Sequence, residues 1–122
     1  DYEPNELKNI KEKFNKKIIS TIQVKKKEDV INYKKIEGVS DIILWDSSGY
    51  QESLSWDYNW IRSLKIAIPK MVAGNISINK LEDLLGLADI IDVSGALETN
   101  KVKDIIKMKN FITKIKEINY AN

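Results

Sequence analysis

Two apolar runs in the second half of the chain end in small residues that leave the backbone amides uncovered. The small residues are Gly74 and Asn75 after the first run, and Ser94, Gly95 and Ala96 after the second. Because an anion approaches an uncovered N–H group closely, above all where a helix begins, these endings favour a phosphate site. No Lys or Arg lies within residues 72–77 or 88–100, so we expect backbone N–H groups to hold the phosphate. The alternative is that each glycine only allows a turn.

Two carboxyl groups stand at the ends of apolar runs in the same way. Asp46 ends the run "SDIILWD", and Asp92 follows Ile90 and Ile91. Desolvation disfavours the charged form of a carboxyl group, so its pKa rises and it can act as a general acid. One interpretation is that Asp46 is a general acid in a pocket walled by Trp45 and other apolar groups. The alternative is an aspartate that caps a loop or the next helix, and Asp92 has the same two interpretations.

The composition excludes several kinds of chemistry. The chain has no Cys and no His, which removes thiolate and imidazole groups as bases, nucleophiles or metal ligands. We therefore expect no metal and no cofactor, and the lack of Cys suggests a reducing compartment, so we predict a cytoplasmic protein. The 20 basic and 18 acidic residues leave a net charge of only +2, which indicates neither a nucleic-acid nor a membrane partner. The expected partner is a small phosphorylated molecule.

The elements that would position these residues alternate along the chain. A helix is expected over about 4–15, and four strands are expected near 18–23, 41–46, 70–73 and 89–92. Further helices are expected over 27–35, around 57–63, after Ser77 and over about 101–119. Such alternation predicts an α/β fold with a parallel sheet. Four units form either a complete open sheet or half of a closed (β/α)₈ barrel with helices on one face only.

Hydrophobic periodicity predicts which side of each element is buried. The strand at 41–46 is almost continuously apolar, which is typical of a strand buried on both faces. The helix after Ser77 and the last helix each show one apolar stripe. The expected stripes are Ile78, Leu81, Leu84 and Leu85 in the former, and Ile105, Met108, Ile112 and Ile115 in the latter. Trp56 and Trp60 are expected to pack in the core, and the polar loop 47–53 is either a mobile lid or plain surface.

Several stretches resemble one enzyme family. "DIIDVSGALETNKVKD" (89–104) strongly resembles the last strand and following loop of phosphoribosylanthranilate isomerase, the third committed enzyme of tryptophan synthesis. "MVAGNIS" (71–77) is similar to the family's Leu-Ala-Gly-Gly-Leu strand end, and "IILWDSSG" (42–49) resembles the strand of its catalytic aspartate. "LSWDYNWI" (54–61) is similar to the family's Phe-Asp-Trp segment. The resemblance implies that residues 1–122 form the C-terminal half of a TIM barrel, from helix 4 to helix 8.

The resemblance also implies roles for individual residues. Asp46 matches the general acid, and Asp92 matches the acid that orients the sugar of the substrate. The implied phosphate-binding positions are Gly74, Asn75, Ser94, Gly95 and Ala96. Asn75 and Ala96 replace family glycines, although Asn adopts a left-handed conformation more readily than most residues. The family's Gly-Thr-Gly after the catalytic aspartate is replaced by "YQE" at 50–52.

The implied reaction is the Amadori rearrangement of N-(5-phosphoribosyl)anthranilate to the carboxyphenylamino-deoxyribulose phosphate. The family's general base, a Cys on the first strand, and an Arg on the second strand have no counterpart in these 122 residues. By this resemblance the chain supplies the general acid and the phosphate site and is inactive alone. The expected partner is an N-terminal half-barrel or a second copy of the chain. The alternative function is a non-catalytic half-barrel that binds phosphate or associates with itself.

Overall fold

A four-stranded parallel sheet forms the centre of the protein. The computed structural model describes residues 2–47 and 55–121. The strands follow the order β1-β2-β3-β4 and comprise Ile19–Val24 (β1), Ile42–Ser47 (β2), Lys70–Val72 (β3) and Ile90–Ile91 (β4). Each strand pairs in parallel with the next along the chain. The four strands expected from the sequence are confirmed to within two residues at either end.

Helices and short 3₁₀ segments connect the strands. They are α1 (Pro4–Phe14), 3₁₀ segments at Lys27–Lys35, Tyr58–Ile61 and Ile78–Lys80, α2 (Leu81–Leu84), a 3₁₀ turn at Gly95–Leu97, and α3 (Ile105–Ala121). An antiparallel hairpin, Glu98–Thr99 (β5) with Val102–Lys103 (β6), precedes α3 and was not expected from the sequence. It delays the start of the last helix from about residue 101 to Ile105. None of the helices in the described ranges is long and apolar enough to cross a membrane.

Burial alternates strictly along β1 and β2, so the described elements cover one face of the sheet. In β2, Ile43, Trp45 and Ser47 are buried, whereas the residues between them are only partly buried. Successive side chains of a strand point to opposite faces, so a helix layer covers one side and leaves the other open. The expectation that β2 is buried on both faces is wrong for the described chain. The one-sided cover agrees with the expected half-barrel.

We call the uncovered side of the sheet the open face. Strand alternation and register assign to it Ile19, Thr21, Gln23, Ile42, Leu44, Asp46, Met71 and Ile90. Ile19 is 52% exposed, although it is a strand residue with a large apolar side chain. The apolar residues of this face lie outside the core cluster that joins the other face to the helices. The open face is therefore an apolar surface that no described part of the chain covers.

The core lies between the sheet and the helix layer, and Trp45 is its largest fully buried side chain. The indole Nε1 of Trp45 donates a hydrogen bond to the Val30 carbonyl at 3.0 Å. The Tyr33 ring meets the indole edge to face, with centroids 5.8 Å apart. A buried indole N–H without a partner would cost free energy, so this bond holds Trp45 on the helix side.

Both expected helix stripes need correction. In α3, Phe111 and Ile118 are buried, whereas the expected Ile105 and Ile112 are 67% and 54% exposed. Residues 105, 108, 112 and 115 satisfy helical spacing as well as 108, 111, 115 and 118 do, so periodicity alone cannot choose between them.

The helix after Ser77 departs from its expected stripe for a different reason. Leu81 and Leu84 are buried there, but Ile78 and Leu85 are exposed. The segment is a 3₁₀ turn followed by only four α-helical residues. The α-helical period of 3.6 residues does not apply across such a segment.

Because the described helices cover only one face of the sheet, substitutions at neighbouring residues of β2 should lower the free energy of unfolding by different amounts. Ile43→Ala removes a side chain with 0% exposure and should lower the free energy of unfolding by about 2–5 kcal/mol. Ile42→Ala removes the same atoms from the open face and should cost clearly less. Urea denaturation of the two variants of this chain measures the difference. Equal losses would mean that both faces are covered.

Candidate active site at the carboxyl ends of the strands

The two candidate acids lie level with each other on the open face. Trp45 pairs with Val72 and Val72 with Ile91, so the next positions along the strands are Asp46, Ala73 and Asp92. The ladder continues there, because the Ala73 amide donates to the Trp45 carbonyl and the Asp92 amide to the Val72 carbonyl. Two strand spacings separate the aspartates, about 10 Å, and Ala73 lies between them in the ladder. By strand alternation, both side chains face the open face of the sheet.

The surroundings of Asp46 favour its protonated form. Partial burial raises the pKa of the Asp46 carboxyl above its ordinary value, and the nearby Asp92 charge raises it further. A hydrogen bond from the Ser47 amide acts in the opposite direction, and the net pKa shift is upward. A carboxyl group that stays protonated at higher pH is better suited to act as a general acid.

Trp45 does not wall the pocket of Asp46 as expected. Successive strand residues face opposite sides, so Trp45 points into the helix layer while Asp46 points to the open face. The neighbours of Asp46 in the sheet are Gln23 on β1 and Ala73 beyond β3. The expected rise in pKa is therefore present, but sheet neighbours and Asp92 surround the carboxyl group instead of an indole.

The turn after β3 has the backbone conformation that its small residues allow. Gly74 has a φ of 102° and Asn75 a φ of 49°. A Cβ on Gly74 would lie 3.0 Å from both Ser47 Oγ and Trp56 Nε1, so a side chain does not fit. The resemblance implies a glycine at position 75. Asn75 has a left-handed conformation there, which Asn adopts more readily than most residues. Gly74 is therefore required by both its φ and its close contacts.

The turn after β4 is a single 3₁₀ turn. The Leu97 amide donates to the Ser94 carbonyl at 3.0 Å, and the Glu98 amide donates to the Gly95 carbonyl. The amides of Gly95 and Ala96 form no hydrogen bond with the described residues. An added Cβ on Gly95 would meet no atom within 4 Å, so the space beside this turn is open.

Two lysines that the sequence analysis did not single out lie beside these turns. Lys103 Nζ is 2.8 Å from Ser94 Oγ and 2.5 Å from Glu98 Oε1. Lys80 Nζ is 3.3 Å from the carbonyl oxygen of Asn75. The turns themselves, residues 72–77 and 88–100, contain no Lys or Arg. The expectation that no cation lies beside them is wrong, because lysines from neighbouring segments reach them. The β5–β6 hairpin returns Lys103 to the turn after β4, and Lys80, just before α2, lies beside the turn after β3.

The remaining expectations concern the segment after β2. The proposed lid, including "YQE" at 50–52, lies mainly in residues 48–54, outside the described residues. Trp56 is 8% exposed, and Trp60 packs beside it with ring centroids 6.4 Å apart, which confirms core packing for this pair. A groove lined by Leu84, Ile91 and Ile118 opens on the helix side of the sheet. It is separate from the strand ends that carry the aspartates.

Replacement by alanine should affect the free energy of unfolding differently at Gly74 and at Gly95. Gly74→Ala should lower the free energy of unfolding by about 1–3 kcal/mol, because its φ disfavours a side chain and the methyl group meets Ser47 and Trp56. Gly95→Ala should change it by less than about 0.5 kcal/mol, because the site is open and needs no positive φ. Urea denaturation tests both. A Gly74→Ala variant as stable as Gly95→Ala would contradict the described turn.

The raised pKa of Asp46 predicts a stability change that depends on pH. The pKa of Asp46 is higher in the folded state than in the unfolded state. The free energy of unfolding therefore falls as pH rises from the unfolded-state pKa to the folded-state pKa, and above the folded-state pKa it falls no further. Asp46→Asn should therefore raise the melting temperature near pH 7. Its gain should disappear at about pH 3, where the carboxyl is protonated in both states.

Asp83→Asn is the control for that measurement, since Asp83 is an exposed aspartate on α2. It should show no comparable gain. An Asp46→Asn variant that is less stable than the parent near pH 7 would contradict the described electrostatics.

Comparison with known proteins gives one family. The family model of N-(5'-phosphoribosyl)anthranilate (PRA) isomerase matches residues 2–114. The N-(5'-phosphoribosyl)anthranilate isomerase of Clostridium kluyveri is 31% identical over 105 residues, which cover 83% of this chain and 51% of the relative. That of Thermoanaerobacter pseudethanolicus is 28% identical over 101 residues, which cover 80% of this chain and 50% of the relative. The chain thus spans about half the length of these relatives.

A solved structure shares the fold. The N-(5'-phosphoribosyl)anthranilate isomerase of Pyrococcus furiosus superposes with a TM-score of 0.70 at 20% identity, over 94% of this chain and 58% of that chain. This likeness, together with four parallel strands and a one-sided helix layer, assigns the fold to the TIM-barrel class. The match to the family model covers most of the chain and agrees with the motifs at its strand ends. The chain therefore belongs to the N-(5'-phosphoribosyl)anthranilate isomerase family.

Proposed function

We propose that residues 1–122 form the C-terminal half of a phosphoribosylanthranilate isomerase barrel and supply its general acid and phosphate site. The observation that carries this proposal is the position of Asp46. Its carboxyl group has a raised pKa, faces the open side of the sheet and stands level with Asp92. The two small-residue turns follow the neighbouring strands β3 and β4 at the same edge of the sheet. In barrels of this class, ligands bind at that edge.

In the proposed reaction, the Asp46 carboxyl donates its proton to the ring oxygen of the ribose. The C1′–O bond breaks, and the anthranilate nitrogen lone pair forms the Schiff base. A base then removes the C2′ proton, and the resulting enolamine takes up a proton at C1′ and loses the proton of its 2′-hydroxyl to become the ketone. The two steps need one protonated and one unprotonated group, so the pKa values of acid and base must differ. The raised pKa of Asp46 suits the first role, and Asp92 is proposed to hold a sugar hydroxyl.

The phosphate of the substrate is proposed to lie between the turns after β3 and β4. The amides of Gly95 and Ala96 form no hydrogen bond with the described residues, and the space beside Gly95 is open. Hydrogen bonds from N–H groups to an ionised phosphate are roughly twice as strong as neutral ones. Lys103 lies next to Ser94, but its ammonium is paired with Glu98, so the backbone amides carry the proposed phosphate contact.

The proposed site is incomplete within this chain. Neither Cys nor His occurs in the sequence, and the family's general base is a Cys on a strand without a counterpart here. The open face exposes Ile19 and leaves Leu44 and Met71 only partly buried, which suits contact with four further strands. We therefore propose that an N-terminal half-barrel covers this face and supplies the base, and that residues 1–122 alone are inactive.

The same open face supports a second candidate, a half-barrel that associates with a copy of itself and binds phosphate without catalysis. An exposed apolar sheet face with two open edges favours association. Solution mass and turnover separate the candidates. A dimer that shows no turnover and stays a dimer when an N-terminal half-barrel is added supports the second candidate. Turnover that appears when the N-terminal half-barrel is added supports the first.

Complementation with an N-terminal half-barrel of the family tests the catalytic proposal. The mixture should convert phosphoribosylanthranilate, and Asp46→Asn should lower its kcat by roughly 100- to 10,000-fold because the proton donor is lost. Asp83→Asn, exposed on α2, is the matched control and should leave kcat unchanged. Full turnover with Asp46→Asn would refute the role of Asp46 as acid.

Phosphate binding is tested separately on the same mixture. Gly95→Val should leave folding intact, because no atom lies within 4 Å of the added Cβ, but its branched side chain should block the approach of phosphate. Calorimetry with a phosphorylated substrate analogue should show weakened binding. A folded Gly95→Val protein that binds as tightly as the parent would mean that the small residues only form a turn.

A further inference from the structure

Three consecutive carbonyl groups of the turn after β3 each accept a hydrogen bond from a side chain. The bonds run from Trp56 Nε1 to Ala73 O (2.9 Å), from the Tyr58 hydroxyl to Gly74 O (2.7 Å) and from Lys80 Nζ to Asn75 O (3.3 Å). We call these three donor side chains the carbonyl clamp. None of them is among the residues to which the family resemblance assigns a role.

The carbonyl clamp determines where the amides of the same peptides point. A trans peptide is planar, so the N–H of each residue points opposite to the C=O of the residue before it. Carbonyls held toward the clamp therefore direct the amides of Gly74, Asn75 and Ile76 away from it. These three amides form no hydrogen bond with the described residues. The turn therefore has three successive N–H groups without a partner among the described residues, and successive N–H groups of a turn can bind an anion.

The donors of the clamp form one packed unit. Trp56 and Tyr58 are 8% and 6% exposed, and their rings meet edge to face with centroids 5.0 Å apart. Lys80 Nζ lies 5.6 Å from the centroid of the Tyr58 ring. Burial raises the pKa of the Tyr58 hydroxyl, so it remains a hydrogen-bond donor well above neutral pH. Two of the three carbonyls are therefore held by buried donors, and the third accepts an exposed hydrogen bond from Lys80.

We propose that Tyr58 and Trp56 are positioning residues that aim the amides of Gly74, Asn75 and Ile76 at the phosphate of the substrate. This inference rests on the proposed phosphate site and extends it to side chains that do not touch the ligand. A purely structural role would require only that the buried carbonyls be satisfied and the space filled. A positioning role requires in addition that phosphate affinity fall when a donor is removed while the ring stays in place.

Tyr58→Phe tests this role, and Tyr33→Phe is its matched control. Both remove a hydroxyl from a buried tyrosine that donates to a backbone carbonyl, since Tyr33 OH lies 3.4 Å from Lys65 O. Inorganic phosphate is titrated into the ¹⁵N-labelled chain, and the amide shifts of residues 74–76 are followed. Phosphate should shift these amides in the parent. Tyr58→Phe should weaken phosphate binding roughly tenfold, the loss expected for one hydrogen bond to a charged group, and Tyr33→Phe should leave it within about twofold.

Each outcome bears on the inference. Parent-like phosphate affinity in a folded Tyr58→Phe chain overturns it and leaves the proposed phosphate site standing. If Tyr58→Phe does not fold, Trp56→Phe removes the other buried donor and must show the same loss of affinity. A parent whose Gly95 and Ala96 amides shift while those of residues 74–76 do not overturns the inference without any variant. A parent that binds no phosphate refutes the proposed phosphate site itself, and the inference with it.

Discussion

The burial of Trp45 is the constraint on which the candidate site depends. Its indole is fully buried and donates to the Val30 carbonyl, which holds this residue of β2 in the helix layer. Side chains of a strand alternate, so Asp46 must then face the opposite side of the sheet. A register slip of one residue would place the carboxyl group in the core and the indole on the open face. The burial of Trp45, with Ile43 and Ser47 on the same face of β2, thus determines on which side of the sheet the acid lies.

The open face has two physical consequences for the same chain. It leaves apolar side chains such as Leu44 and Met71 only partly buried, so the sheet is an incomplete hydrophobic layer. It also holds Asp46 in a partly desolvated position near Asp92, where ionisation is disfavoured. Both features reduce the stability of the chain alone, and both suit a surface completed by a second set of strands. A site that lowers stability in this way is typical of functional positions.

The turn after β3 depends on contacts that reach it from three parts of the chain. Gly74 lies against Ser47 from β2 and Trp56 from the next connection, at distances that exclude a side chain. Tyr58 and Lys80 bind the carbonyls of that turn from opposite sides of it in sequence. The carbonyl groups of Ala73, Gly74 and Asn75 therefore each accept a hydrogen bond from a side chain of the carbonyl clamp. The amides of Gly74, Asn75 and Ile76 form no hydrogen bond with the described residues, and in our proposal they bind the phosphate.

The sequence by itself determined the order of the elements apart from the β5–β6 hairpin, the positions of the four parallel strands to within two residues, the positions of Asp46 and Asp92 near strand ends, and the family. These features follow from local rules, since β-branched runs, glycines after strands and motif spacing act over a few residues. The same rules explain why the need for a small or left-handed residue at Gly74 and Asn75 was visible in advance.

Only the tertiary structure decided which of two equally periodic stripes of α3 is buried, and that Phe111 and Ile118 lie inside while Ile112 does not. It also decided that Trp45 points away from Asp46, that Lys103 returns to Ser94 through a hairpin, and that Trp56 and Tyr58 hold the carbonyls of the β3 turn. The physical reason is the same in each case. Helical periodicity leaves the rotation of an apolar helix undetermined, and hydrogen bonds between residues about 10 to 20 positions apart depend on how the packed layers bring those segments together.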